Sequence, residues 1–300
     1  MIIDNSEALT PAVLEAYGNI PDPRMRELVT ALIKHLHGFV REVRLSEQEF
    51  QQAAHIVARL GQQTSDSHNE VVLMAGSLGM STLVCLLNNG DGGATETQAN
   101  MLGPFWRDDQ PAVEDGGSLV RSLTAGPPLA VRVTLQDRNG APLAGAEVDV
   151  WHSSPEGLYE NQDPAQAEMN LRGRFISDPE GKFGFTSVMP AGYPIPDDGP
   201  VGELLRLAGR HKFRPAHLHF MIYKPGFKTL ISQLYVGGDP NLDTDVQFGV
   251  TRALIGGFVR HEKAGADSYS LDQVFTLEPG EARRPRAPIR TKRTASAVAG

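Results

Sequence analysis

The sequence predicts a mainly β protein, an antiparallel β-sandwich preceded by an N-terminal α-helical domain. Three observations predict it. Through the first hundred residues, apolar side chains recur at helical spacing. After Leu102-Gly-Pro-Phe105 the spacing changes to alternation rich in β-branched residues. Turn residues (Pro, Gly, Asn) then punctuate the chain at short intervals. These shifts divide the chain into residues 1–100, helical, residues 101–282, the sandwich, and residues 283–300, a flexible basic tail of Arg and small residues.

Met25, Leu28, Val29, Leu32, Ile33, Leu36, Val40 and Val43 form one helical stripe, with Pro23 at its start and Arg41 and Arg44 at its end. Ser46-Glu-Gln-Glu49 reads as a capping box opening a second helix, with Phe50, Ala54, Val57 and Leu60 on one side and Gly61 as its stop. A third helix covers Val71 to Leu87, which carries no charge, and ends at Asn88-Asn-Gly-Asp-Gly-Gly93. This segment is at the short edge of membrane-spanning length. Its small residues Gly76, Ser77, Gly79, Ser81 and Thr82, and its lack of basic flanks, make it a buried helix and not a membrane span.

Leu129 to Leu135 alternates as a strand, Asn139-Gly140 offers a tight turn, and Ala146 to Trp151 reads as another strand. Arg174 to Ser177, Asp178-Pro-Glu-Gly181 and Lys182 to Thr186 read as strand, turn, strand. Two more strands, His217–Tyr223 and Leu230–Val236, flank Lys224-Pro-Gly-Phe-Lys228. No internal repeat is visible.

A chain of 300 residues is long enough for one large domain or two modest ones. Its net charge of -8 and pI near 5.6 disfavour nucleic acid and anionic membrane as partners. A single cysteine, Cys85, excludes an internal disulfide and fits a reducing cytoplasm. The N-terminus has no basic region followed by an apolar stretch, so no secretion signal is expected.

The chemistry concentrates in Arg214-Pro-Ala-His-Leu-His-Phe220. His217 and His219 stand two apart on a strand, so both imidazoles leave the same face and can reach one point. Upstream, Tyr159 follows a strand end in Trp151-His-Ser-Ser-Pro-Glu-Gly-Leu-Tyr159. Tyr193 sits in Ala191-Gly-Tyr-Pro-Ile-Pro196, where proline and glycine set the backbone so that a side chain can be aimed. Taken alone, either tyrosine reads as an ordinary packed residue. The histidines His35, His37, His55, His68 and His152 also read as structural.

Taken jointly, over residues 20–280, these segments resemble the intradiol ring-cleavage dioxygenases, which open catechols between their two hydroxyls. The resemblance implies an Fe(3+) site with Tyr159, Tyr193, His217 and His219 as ligands. The chemistry agrees. Phenolate is a hard anionic donor, and a bound cation deprotonates tyrosine although its free pKa is ~10. Two phenolates and a hydroxide balance a trivalent ion, unlike the two-histidine, one-carboxylate ferrous site of many oxygenases. By the same resemblance, Tyr193 is the axial ligand that leaves as the diol chelates the metal. Arg214 stabilises negative charge on the ring, Gln233 lies near the diol, and O2 opens the ring to a muconate-type diacid. The resemblance further implies a homodimer formed through the N-terminal helices, a region that holds a phospholipid in several members.

Leu78 to Ser81, Ala94-Thr-Glu-Thr97, Gly103-Pro-Phe105 and Tyr193 to Gly202 are most similar to the hydroxyquinol-cleaving branch. That branch converts benzene-1,2,4-triol to 3-hydroxy-cis,cis-muconate, the enol form of maleylacetate. The implied pocket wall is Leu73, Gly76, Met101, Leu102, Gly103, Pro104, Phe105, Ile195, Pro196 and Val246. Gly76 departs from the pattern, since hydroxyquinol-type members carry aspartate there and catechol-type members proline. Glycine removes a hydrogen bond and bulk together, and so predicts tolerance of a larger ring. The alternatives are a catechol or substituted-catechol 1,2-dioxygenase, a zinc hydrolase using His152 or His211 as a third ligand, and a non-enzymatic β-sandwich binding module.

Overall fold

A computed structural model describes residues 2–89, 96–262 and 266–290. Most of the Asn88–Gly93 stop, the start of the Ala94–Thr97 motif and the last ten residues of the basic tail lie outside the described residues. The chain forms two compact units, Met1–Ala58 and Arg59–Gly300.

The first unit holds α1 (Ser6–Tyr17), α2 (Pro23–Glu42) and most of α3 (Glu47–Gln63). Each start is written in the sequence. Asn5 accepts from the Ala8 amide at 2.9 Å, and Asp22 accepts from the Met25 amide at 2.7 Å with Pro23 in the first turn. At α3 the capping box closes both ways: the Ser46 amide donates to Glu49 at 2.8 Å and the Glu49 amide donates to Ser46 Oγ at 3.3 Å. Gly61 does not stop α3, which continues to Gln63. Glycine costs only about 1 kcal/mol inside a helix, too little to end α3 there. Leu28, Leu32, Leu36, Phe39 and Val43 repeat along one side of α2 and are exposed.

In the second unit the charge-free segment forms two helices, not one: α4 (Glu70–Ser77) and α5 (Met80–Asn89), bent by 73°. Gly79, at φ +72, takes the left-handed position that ends α4, and its amide donates to the Gly76 carbonyl at 2.8 Å. Among the described residues no single helix is long and apolar enough to cross a membrane.

The strands in chain order are β1 (Pro128–Asp137), β2 (Glu147–His152), β3 (Arg172–Ile176), β4 (Lys182–Val188), β5 (Tyr193–Pro194) and β6 (Phe213–Arg214). The short helix α6 (Pro200–Leu207) lies between the last two, and β7 (His217–Tyr223), β8 (Leu230–Val236), β9 (Ile255–Gly256), β10 (Val259–His261) and β11 (Ser268–Leu277) follow. Two sheets form, in the orders β10-β11-β1-β4 and β3-β2-β7-β8-β9, with β5-β6 as a small separate pair. Their facing sides share one apolar core: Leu129, Val131 and Val133 of β1 and Phe275 of β11 meet Val148 and Val150 of β2 and Leu218 and Phe220 of β7.

The sandwich is mixed where a purely antiparallel one was expected. β1 and β11 run parallel, as do β8 and β9. Long excursions separate both pairs in sequence, so no hairpin dictates their direction. The strand-turn-strand at Arg174 to Thr186 is likewise not a hairpin, because β3 and β4 belong to different sheets. Its turn, with Gly181 at φ +72, carries the chain across the core.

The tail also differs from expectation over residues 283–290, which are docked. Ile289 is buried, the Arg283 amide donates to Thr229 Oγ1 at 3.1 Å, and the Arg290 amide donates to the Asp66 carbonyl at 2.6 Å. One apolar side chain and two backbone bonds overcome a composition that otherwise reads as loose.

Candidate metal centre

β7 is central in its sheet and buried on both faces. Leu218, Phe220 and Ile222 enter the sandwich core, which turns His217, His219 and Met221 to the other face. Register then builds rows across that face: Trp151, His219 and Gln233 in one, His217 and Tyr235 in the next. Trp151 stacks on His219 at 4.5 Å and 8° between planes, fixing the ring. His217 Nδ1 lies 2.7 Å from the Pro215 carbonyl, which can only accept. Nδ1 therefore carries the proton, and Nε2 offers a bare lone pair 3.0 Å from His219 Nε2.

Two phenol rings close on the imidazoles. Tyr159 and Tyr193 meet edge to face at 5.0 Å, Tyr193 lies 5.5 Å from the His217 ring and Tyr159 6.3 Å from the His219 ring. Tyr159 comes from the loop after β2, held by a buried ion pair in which Arg172 donates to Glu160 at 2.8 Å and to the Phe105 carbonyl at 2.6 Å. Phe105, tied down through its own carbonyl, packs on Tyr159 at 4.6 Å. Tyr193 is placed by β5, whose register partner is Arg214 on β6.

Arg214 is fully enclosed and bound to Asp245 through Nε and a terminal nitrogen, both at 3.0 Å. It also donates to Tyr235 Oη at 2.8 Å and Gln233 Oε1 at 3.1 Å. Burial opposes its charge, but Asp245 and the neighbouring phenols outweigh it, so its pKa stands well above the ordinary value. Gln233 is tied into this network at both ends of its amide. Its oxygen accepts from Arg214 and Tyr235, and its nitrogen donates to the Met101 carbonyl at 2.7 Å.

Burial sets the charge state of all four rings. Burial, then the neighbouring Tyr193, pushes Tyr159 well above its ordinary pKa, and burial pushes Tyr193 up too. Burial and then Arg214 push His217 down to about 3; burial and then His217 push His219 well down. All four rings are thus neutral donors when left to themselves. Among the described residues both phenol hydroxyls and His219 Nδ1 are buried without a hydrogen-bond partner, a cost of about 1–3 kcal/mol each. Among the described residues no three of His, Cys, Asp and Glu gather to hold a metal, so only the phenols extend the histidine pair. Two hard oxygens and two imidazoles in a closed site fit ferric iron, which would take the orphaned oxygens as phenolates.

A cavity of about 870 Å³ adjoins this centre. Of the ten pocket positions expected from sequence, Met101, Leu102 and Gly103 line it. Gly103, at φ +75, presses on the centre: a Cβ there would sit 3.3 Å from His219 Cε1. Leu73, Phe105, Ile195 and Val246 instead pack with the two tyrosines in a second apolar cluster, Pro104 is buried and Pro196 half-buried. Gly76 is buried and covered by the side chain of Gln247, so the room expected beside it is taken.

Sequence reasoning missed Tyr235, Asp245 and Gln247 around the centre, and Arg286 and Arg290 along the cavity. Tyr235 alone left a signal, since it alternates with Gln233 on β8. His152, expected to be structural, bonds Ser187 Oγ and the Ser153 carbonyl, both at 2.7 Å.

Residues 101–279 match the family model described as Dioxygenase, and residues 22–95 the one described as Catechol dioxygenase N terminus. A 6-chlorohydroxyquinol 1,2-dioxygenase of Cupriavidus pinatubonensis is 38% identical over 90% of this chain and 96% of its own. The solved hydroxyquinol 1,2-dioxygenase of Pseudomonas putida is 36% identical, with a TM-score of 0.81 over 92% of this chain and 99% of that one. The catechol 1,2-dioxygenase of Pseudomonas arvilla is 30% identical, with a TM-score of 0.79 over 96% and 95%. Both halves of the chain are matched at these identities, and it therefore belongs to the intradiol ring-cleavage dioxygenases, a family of non-haem iron enzymes.

Proposed function

We propose that the chain uses O2 to cleave benzene-1,2,4-triol, hydroxyquinol, between its adjacent hydroxyls, giving 3-hydroxy-cis,cis-muconate, on a ferric ion held by Tyr159, Tyr193, His217 and His219. The observation that carries the reading is the convergence of four buried rings whose two phenol hydroxyls have no partner among the described residues. The substrate follows from the relatives that act on hydroxyquinol and its chloro derivative.

Held by these four residues, ferric iron would supply Lewis-acid chemistry to the diol and O2. Held as a phenolate, Tyr193 Oη would accept one diol proton, and it is the phenol beside the Arg214 guanidinium, which can hold the resulting hydroxyl. Tyr159, His217 and His219 keep their positions, locked by the Arg172–Glu160 pair, the Pro215 carbonyl and Trp151. Arg214, its charge secured by Asp245, stabilises negative charge on the diol ring. Gln233 acts as a positioning residue, joining Arg214 to the Met101–Gly103 wall. Met101, Leu102 and Gly103 flank the ring, and the enclosed apolar cluster keeps water from it.

The exposed apolar side of α2 favours a homodimer through the first unit, and a groove there lined by Leu9, Leu36, Phe39, Val40 and Phe50 suits a phospholipid chain. The single Cys85 suits a cytoplasmic enzyme.

Oxygen uptake with hydroxyquinol, catechol, 4-methylcatechol and chlorocatechols, with products identified by mass spectrometry, tests the reading. Hydroxyquinol should give the highest kcat/KM and a product opened between the hydroxyls. Cleavage beside them, or a preference for unsubstituted catechol, would overturn it.

A further inference from the structure

The position beside Gly76 is filled from elsewhere in the chain. A Cβ at residue 76 would overlap Gln247 Oε1 and lie 2.6 Å from Gln247 Cδ. Gln247 belongs to the loop after Asp245, far from α4 in sequence. It is buried, yet it also lines the cavity bounded by Met101, Leu102 and Gly103. Glycine at 76 and the long amide at 247 therefore form one fitted pair: the first supplies the space and the second the group that occupies it.

The amide is locked at every point but one. Its backbone N–H donates to Asp245 Oδ1 at 3.2 Å, and its carbonyl accepts from Thr82 Oγ1 at 3.3 Å. Its side-chain nitrogen donates to the Leu73 carbonyl at 3.3 Å and to Ser77 Oγ at 2.9 Å. A carbonyl can only accept, so the atom facing Leu73 must be Nε2, which fixes the orientation of the amide. Oε1 is left without a donor among the described residues, although the nitrogen beside it is doubly used. The same Asp245 that anchors this loop also holds Arg214.

We propose that Gln247 sets ring specificity in this enzyme, with Oε1 accepting a hydrogen bond from a hydroxyl substituent on the diol ring and the amide limiting substituent size in the space Gly76 leaves. This rests on the reading of the site as a diol-cleaving centre and adds the residue that discriminates among diols. A neutral carbonyl oxygen prefers a hydroxyl to a methyl group in the same place, because only the hydroxyl can satisfy it.

The test compares hydroxyquinol with 4-methylcatechol, which replaces the third hydroxyl by a methyl group. Gln247→Leu keeps most of the volume and removes the acceptor. Its ratio of kcat/KM for hydroxyquinol over 4-methylcatechol should fall about tenfold, mainly through KM. Gln247→Asn, which draws the oxygen back by one methylene, should shift the ratio the same way and serves if the leucine variant unfolds. Gly76→Ala should lower activity on both rings by collision with the amide, and Gly76→Ala with Gln247→Ala should restore turnover of 4-methylcatechol while hydroxyquinol stays low for want of the acceptor, a non-additive pair. An unchanged ratio in both Gln247 variants, or strictly additive effects of the pair, would overturn the proposal. Failure of the unaltered enzyme to turn over hydroxyquinol would instead remove the substrate reading and the acceptor role with it, while the paired substitutions still decide whether Gln247 fills the space of residue 76.

Discussion

The two faces of β7 are equally buried and opposite in chemistry. One sends Leu218, Phe220 and Ile222 into the sandwich core; the other sends His217 and His219 toward two phenols, an enclosed Arg214 and Asp245. On the first face burial is its own reward, since apolar area leaves water and nothing is left unpaired. On the second face burial strips water from groups that want it, and the two phenol hydroxyls and His219 Nδ1 find no substitute among the described residues. The comparison separates stability from function within one strand. The core face holds the fold, and the site face carries a debt that a cation would settle.

Substitutions on the two faces should therefore act on different observables. The largest effect belongs to His219→Ala, which should lower turnover by about 1000-fold or more and abolish iron retention. Its metal-free stability should stay within about 1 kcal/mol of the parent, because an unpaired buried nitrogen is removed together with its packing. Iron content and urea melts check both halves, and a large stability loss would blur the comparison. Phe220→Ala on the opposite face should cost about 3–5 kcal/mol in urea unfolding, while the molecules still folded keep their KM. Asp245→Asn tests whether the site face also has a structural skeleton. It strands a buried guanidinium and should cost about 3 kcal/mol, with kcat falling as well.

The smallest effect is a slope. His152 is buried, and burial holds its pKa down to about 4 against the ordinary 6.5. The unfolded chain takes up this proton as pH drops through 6.5, whereas the folded chain resists until about 4. Stability from this group is therefore full above pH 6.5 and declines on acidification, by about 2 kcal/mol at pH 5. Urea melts of the metal-free protein from pH 7 to 5 should show the decline, and His152→Gln should make it shallower by this group's share, since buried His217 and His219 contribute in the same direction. An equal slope in that variant would assign the decline to other groups.

Much of this was legible in the sequence. The α2 stripe, the capping box at Ser46 and the alternation of β7 are local signals, and the structure repeats them nearly residue for residue. Less legible was anything decided by long-range pairing. Parallel β1–β11 depends on two segments far apart, and the turn at Gly181 looks the same locally whether it joins one sheet or two. At the site, the paired histidines were legible in the strand pattern, while the two tyrosines, ordinary when taken alone, came only with the family resemblance. Asp245 and Gln247 were not legible, since their meaning lies in what they touch: a guanidinium on β6 and a glycine on α4. Reading Gly76 alone suggested open space, because sequence shows a missing side chain but not the neighbour that replaces it.

Whether Tyr159, Tyr193, His217 and His219 together hold one ferric ion is decided by titrating the purified protein with ferric iron. The account predicts one iron per chain and a visible absorption band from phenolate bound to iron, weakened or shifted in both Tyr159→Phe and Tyr193→Phe. A protein that stays colourless with iron bound, or whose colour is unchanged in both tyrosine variants, would contradict it.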